Sequence, residues 1–268
     1  MSIFKQALHR RIALGAAIAL PLAALAMPAL ATHSWGGYHW ARTANPFTLK
    51  LGDNVDVNWD SYLATTSSDW TASAVLDTVI VPGSAANVKR CNALAGTVQV
   101  CNTTYGNTGW LGIASISITG GTHITQGTVK LNDTYFNTAQ YNTPAWKNMV
   151  SCQEVGHAFG LDHQDSVFSN PNLGTCMDYT NDPSTNQHPN AHDFEQLATI
   201  YQHLDTTTTI SARTAATVAD VGDGPATWGR PIRFDRQGRP DVYERFDGPG
   251  RSTLTHVTWA VGEGPRGR

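Results

Sequence analysis

Gln153, Glu154, His157 and His163 are the residues whose types and spacing could do chemistry. They lie in Cys152-Gln153-Glu154-Val155-Gly156-His157-Ala158-Phe159-Gly160-Leu161-Asp162-His163. Gln153 and His157 are four apart, so a helix puts them on one face, one turn apart. Glu154 stands beside that face, within reach of a water between them. Gly160 suits the left-handed residue that ends a helix, and the turn it makes lets His163 come back to the same point. The stretch thus offers three candidate metal ligands, Gln153, His157 and His163, and one carboxylate. A fourth position stays open for water or substrate, which is the arrangement of a catalytic zinc site.

The stretch resembles the signature of the metzincin metallopeptidases, H-E-x-x-H-x-x-G-x-x-H followed by a Met-turn. Every fixed position matches except 153, where Gln replaces the first His. The E-x-x-H-x-x-G-x-x-H part alone arises by chance in under roughly one chain in a thousand of this length. Thr175-Cys176-Met177-Asp178-Tyr179 looks like the Met-turn, with Met177 the structural methionine beneath the metal. Tyr179 matches the tyrosine that astacins and serralysins use as an extra ligand or transition-state donor. Gly127-Thr128-Val129-Lys130-Leu131-Asn132 is similar to the matrixin branch. The resemblance implies an α/β metzincin-like zincin fold: a twisted, mixed, five-stranded sheet, an active-site helix, a Met-turn and a closing C-terminal helix. It implies a zinc-dependent endopeptidase with Glu154 as general base and one catalytic Zn2+, acting on a peptide or protein substrate. It also makes the strand around Gly112, Ile113, Ala114 and Ser115 the open edge to which an extended peptide adds. The histidine-and-aspartate pattern of the matrixin structural zinc is not visible, so no second zinc site is expected. Nothing in the sequence speaks for or against calcium.

Gln153 bears directly on activity. An amide oxygen is neutral like imidazole, but it is a weaker zinc donor than nitrogen. Three outcomes stay open: a weaker working zinc site helped by Tyr179, a preference for another divalent metal, or an inactive pseudoenzyme that binds peptides on a peptidase fold. A further reading makes the metal purely structural, a tie between helix and Met-turn.

The elements that must position these residues are readable in outline. Thr143 and Pro144 suit the N-cap and first residue of a helix, and Met149, Cys152, Val155 and Phe159 recur at helical spacing. Gly156 inside that helix costs on the order of 1 kcal/mol against Ala, so a close approach of other backbone is expected there. Strands are expected over Phe47–Leu51, Val75–Val81, Thr97–Cys101, Gly109–Ile118 and Gly127–Asn132, and a helix within Val55–Ser73. Asn190 can cap a last helix over Ala191–Leu204. Trp35 and Trp40 are read as packing residues. His33 and His39 could supply a missing ligand, though lone histidines near a terminus are usually not ligands. His123 reads as a loop histidine, and His192 and His203 fall off the stripe of the last helix, with His192 as a reserve ligand.

Residues 1–31 read as a secretory signal: a basic start (Lys5, Arg10, Arg11), an apolar run Ile12–Leu25, and Ala29-Leu30-Ala31 as a cleavage site. Without them the formal charge falls from −3 to −6, which argues against nucleic acid as a partner. A secreted or periplasmic monomer, free of the membrane after cleavage, is the expectation. Four cysteines in an exported chain suggest two disulfides, of which Cys91–Cys101 and Cys152–Cys176 make the most physical sense. Zinc ligation by these cysteines is disfavoured, because no C-x-x-C pair is present. The catalytic domain is placed at 32–205, a polar linker at 206–226 and a small β-rich appendage at 227–268.

Overall fold

The computed structural model describes residues 33–210 and 220–265. The expected signal segment, residues 1–31, and the middle of the expected linker lie outside the described residues. No described helix is long and apolar enough to cross a membrane.

Strand β1 (His39–Trp40) is followed by β2 (Phe47–Asn54), helix α1 (Asp60–Thr71), β3 (Leu76–Pro82) and β4 (Thr97–Thr103). Then come β5 (Trp110–Thr119), β6 (His123–Asn132), the short α2 (Asp133–Phe136), the long α3 (Pro144–Ala158) and α4 (Ala191–Ile200). Three more strands end the chain: β7 (Arg230–Phe234), β8 (Pro240–Gly248) and β9 (Arg251–Trp259). Strands β2, β3, β4 and β6 run parallel, and β5 runs antiparallel to β6. Helices α1 and α3 carry Leu63, Trp70, Met149, Val150 and Val155 into the core with Leu49, Leu51, Val98 and Val129 of the sheet. Burial of such side chains, about 1.5–3 kcal/mol each, is what presses α3 against the sheet.

The sheet is mixed, as expected, but it has nine strands among the described residues rather than five. Its order is β3-β2-β4-β6-β5-β9-β8-β7, with β1 also on β6. The C-terminal strands therefore continue the sheet instead of forming an appendage, and the described residues form one compact unit. Strand β9 pairs antiparallel along the whole of β5, with Ala114 opposite His256 and Ser115 opposite Thr255. The expected open edge at Gly112, Ile113, Ala114 and Ser115 is thus corrected: β5 has a strand on each side. The physical reason lies in the polar positions of β5. Ser115 is buried and its hydroxyl meets that of Thr255 at 3.0 Å, so the polar positions that suggest a solvated edge pair across to a Thr-rich neighbouring strand. Trp110 and Ile113 of β5 also pack with Trp228, Tyr243, Val257 and Trp259 in a second apolar cluster.

The described ends of the linker are tied down. Thr209 donates its N–H to Ala41, and Lys130 donates to Val221 and Asp223. Both expected disulfides form, Cys91–Cys101 and Cys152–Cys176, the second joining α3 to the Met177 loop.

Candidate metal centre

Helix α3 begins where the sequence places its start: the Thr143 hydroxyl accepts from the Trp146 N–H, with Pro144 next. It ends at Ala158, and Gly160 follows with φ +93°. A side chain at Gly160 would be strained in that conformation and would also meet the carbonyl oxygen of Tyr38 at 2.0 Å. The turn is therefore open only to glycine. Gly156 also has a steric reason, but it differs from the expected one. Its neighbours are side chains, not backbone: a Cβ would lie 2.6 Å from Met177 Sδ and 2.7 Å from the Trp70 ring. Met177 thus sits directly under the helix turn that carries His157, fully buried.

His157 and His163 converge, with ring centroids 4.6 Å apart. The third member of the cluster is His256 of β9, whose ring centroid lies 3.8 Å from that of His157 and 4.6 Å from that of His163. One ring nitrogen of each of the three lies within 4.8 Å of the others, a spread that can hold a metal ion. Sequence spacing could not reveal His256, which lies 93 positions after His163. The pairing of β9 with β5 brings it in.

Gln153 stands one turn before His157, but its amide faces other partners. Its nitrogen donates to the Cys176 carbonyl at 2.7 Å, and its oxygen accepts from the Thr258 hydroxyl at 2.7 Å. The expected ligand role of Gln153 is therefore not what this geometry displays: both ends of the amide are engaged, one by the Met177 loop and one by β9. Tyr179 is near the cluster, its ring centroid 3.9 Å from His163. Its hydroxyl donates to Asp241 Oδ2 at 2.5 Å and stands 3.3 Å from His256 Nε2. Asp241 in turn binds Arg233, which also pairs with Asp162 beside His163. This chain of polar contacts links β7, β8 and β9 to the helix end and the Met177 loop.

The donor set fits a zinc ion on two counts. First, His157 Nε2, both ring nitrogens of His163, His256 Nδ1 and both oxygens of Glu154 are buried without a hydrogen-bond partner. Each such group costs about 1–3 kcal/mol when left unpaired. Their clustering at one point is the mark of a ligand. Second, His157 Nδ1 donates to the Leu161 carbonyl at 2.8 Å, which fixes the tautomer and leaves Nε2 as a lone-pair donor. Burial pushes His157 down to about 4, and burial with mutual repulsion holds His163 and His256 well below the usual range. All three are neutral at pH 7, the form a metal needs.

Glu154 is fully buried, 3.7 Å from His256 Nδ1. Burial raises its pKa to about 8, although the Thr258 hydroxyl and the Ala114 backbone lie near enough to offset part of that rise. Gly112 makes room for it, since a Cβ there would lie 2.7 Å from Glu154 Oε1. The reserve ligand His192 lies elsewhere, 3.7 Å from Glu195 and against the His33 ring. His33 itself meets Asp193 at 3.1 Å.

No family model and no curated protein matches the chain. Among solved structures, one of myroilysin aligns with 63% of this chain and 98% of its own, at 13% identity and a TM-score of 0.37. High choriolytic enzyme 1, a hatching enzyme zinc-protease from the medaka Oryzias latipes, aligns with 61% of this chain and 94% of its own, at 8% identity and a TM-score of 0.33. Likeness at that level bears no weight on activity.

Proposed function

We propose that this chain is a secreted zinc-dependent peptidase, monomeric, in which His157, His163 and His256 hold the metal and Glu154 is the general base. The observation that carries this reading is the convergence of three neutral imidazoles, each with an unpartnered ring nitrogen, beside a buried carboxylate. A structural zinc site has no use for such a carboxylate. Zinc, when bound, supplies Lewis-acid chemistry, polarising a carbonyl and making water acidic enough to attack near neutral pH. Glu154 takes a proton from the attacking water at its carboxylate and returns it to the leaving amine. It lies 3.7 Å from His256, and a cation bound at the cluster would draw its raised pKa back down toward the ionised form that a base needs. Tyr179 orients His256 through its hydroxyl and is itself held by Asp241. Met177 supports the helix from below. The assay is cleavage of an unfolded protein by the mature chain, with and without a chelator. Chelator-sensitive cleavage that is lost in Glu154→Ala, with zinc retained, supports the reading, and cleavage by Glu154→Ala sinks it.

A second reading has one observation in its favour. Strand β9 lies along the edge of β5 where an extended peptide would add, and Glu154, His157 and His256 are at most 1% exposed. On this reading the chain binds zinc and does not cut. One zinc per centre without cleavage, and a thermal stability that falls on metal removal, would favour it.

A further inference from the structure

Three more histidines and one aspartate meet far from α3 in sequence. His39 is the first residue of β1, His123 the first residue of β6, and His203 and Asp205 follow α4. Asp205 Oδ1 lies 3.2 Å from His123 Nε2, 3.5 Å from His39 Nε2 and 3.7 Å from His203 Nε2. His39 Nε2 and His203 Nε2 are 3.2 Å apart. A tetrahedral zinc with bonds of about 2.0–2.1 Å has ligand-to-ligand edges of about 3.3–3.4 Å. The three separations among His39, His203 and Asp205 fall within a few tenths of an ångström of that edge, and these three donors group as one candidate ion site, with His123 touching it only through Asp205.

We infer that His39, His203 and Asp205 hold a second zinc ion, structural and independent of the centre at His157, with His123 bonded to Asp205 beside them. Each donor is already aimed by a neighbour. His39 Nδ1 donates to the Gly37 carbonyl at 2.9 Å, so its Nε2 carries the lone pair and points at the other donors. Asp205 Oδ2 accepts from the Arg42 guanidinium at 3.0 Å and the Arg42 N–H at 3.2 Å. That leaves Oδ1 for the cluster. The His39 and His203 nitrogens face each other at 3.2 Å and both face Asp205 Oδ1, so two lone-pair donors and one anion converge where a cation would bond all three.

The ligand set is one zinc accepts: two imidazole nitrogens and one carboxylate oxygen, with the fourth place left to water on the exposed side. Its placement gives it a task. Strand β1 is only two residues long, and its pairing with β6 begins at His39 and His123 themselves. A metal there would clamp the start of the described chain to the sheet and both to the segment after α4. Access differs across the site. His39 and Asp205 are buried, whereas the side chains of His123 and His203 are 31% and 55% exposed. The site can therefore exchange metal with solvent without unfolding.

The test is zinc content of the mature chain after dialysis against metal-free buffer. About two zinc ions per chain are expected, falling by about one in His123→Ala/His203→Ala. The alanines sit at the two exposed positions, so folding is expected to survive and is checked by circular dichroism. Equal zinc content in the double variant and the wild type would overturn the site and leave a hydrogen-bonded histidine cluster in its place. If the double variant does not fold, Co2+ titration of the His256→Ala chain decides. One equivalent bound with visible tetrahedral d–d bands supports the site, and no such bands overturns it.

Discussion

At the His157–His163–His256 cluster every ring donor is neutral and the nearest carboxylate, Glu154, is held back with no bond to anything. At the His39–His123–His203–Asp205 cluster the carboxylate is itself a donor, braced from behind by Arg42. A dication in the first keeps its full charge and has a base beside it. A dication in the second would be half neutralised, with three protein ligands and no base. On the proposed reading the same two residue types, arranged differently, separate a reactive centre from a strut. The first cluster also depends on the last strand of the chain, and the second on the first strand.

The comparison breaks most sharply at Glu154. Glu154→Ala is expected to lower the rate of peptide cleavage by about 100- to 10,000-fold, the usual contribution of a positioned general base, while zinc content stays that of the wild type. Zinc analysis alongside a cleavage assay reads both. If zinc is lost together with cleavage, Glu154 belongs among the ligands and both clusters bind metal through a carboxylate.

Next in size is the exchange of a ligand between helix and strand. His256→Ala is expected to weaken zinc at the first centre by at least about 100-fold, since even outer partners of a ligand cost about 10- to 100-fold. Position 153 lies one turn before His157, so an imidazole there can take the vacated place. Gln153→His in the His256→Ala background should therefore recover at least about 10-fold of the lost affinity. A competition titration with a zinc indicator measures this. No recovery would mean that the helix face at 153 does not look at the metal.

These residues also mark where sequence reading stops. Everything local was legible: Thr143-Pro144 as a helix start, Gly160 as its left-handed end, the Asn190 cap of α4, and the Cys152–Cys176 link between helix and Met177 loop. His157, Glu154 and His163 come together as their spacing implied. What was not legible depends on strand pairing between distant segments. His256 is one histidine in a Thr-rich strand, and only its register opposite Ala114 delivers it to the site. The amide of Gln153 can serve a metal or two hydrogen bonds, and the choice is made by Thr258 and Cys176, which spacing does not place. His39 reads as a lone histidine near a terminus, His123 as a loop histidine and His203 as one off the stripe of the last helix, because 80 residues separate the second from the third. Topology, through β1 on β6, makes them neighbours.

A smaller effect tests the brace of the second cluster. Arg42 bonds Asp205 Oδ2 and also donates to the Tyr201 carbonyl. Arg42→Met keeps most of the apolar stem but frees the carboxylate to turn. Zinc affinity at the second site is expected to fall by about 10- to 100-fold, as for outer partners in general, with the first centre still loaded. Differential chelation, followed as two phases of zinc release, separates the sites. A single unchanged pair of phases would show that Asp205 needs no brace.

The smallest effect is one of pH, and it sets Glu154 against Asp205 directly. In the metal-free chain burial raises Glu154 from 4.5 to about 8. Between those values the folded chain holds a proton that the unfolded chain has lost, so stability falls as pH rises, by at most about 1.4 kcal/mol per unit. His157 works in the opposite direction, but only between about 4 and 6.5, where the unfolded chain binds the extra proton. The interval from about pH 7 to 8 therefore isolates Glu154. Asp205 contributes nothing there. Burial alone would raise it, but Arg42 and His39 overcome that and hold it below the usual carboxylate range, so its share of stability is lost only in acid. Thermal unfolding of the metal-free protein should show a midpoint that drops from pH 7 to 8 and then levels. Glu154→Gln should flatten that drop, and Asp205→Asn should leave its slope as it is. A slope that survives Glu154→Gln would place the buried proton on another group and remove the free carboxylate on which the contrast between the two clusters rests.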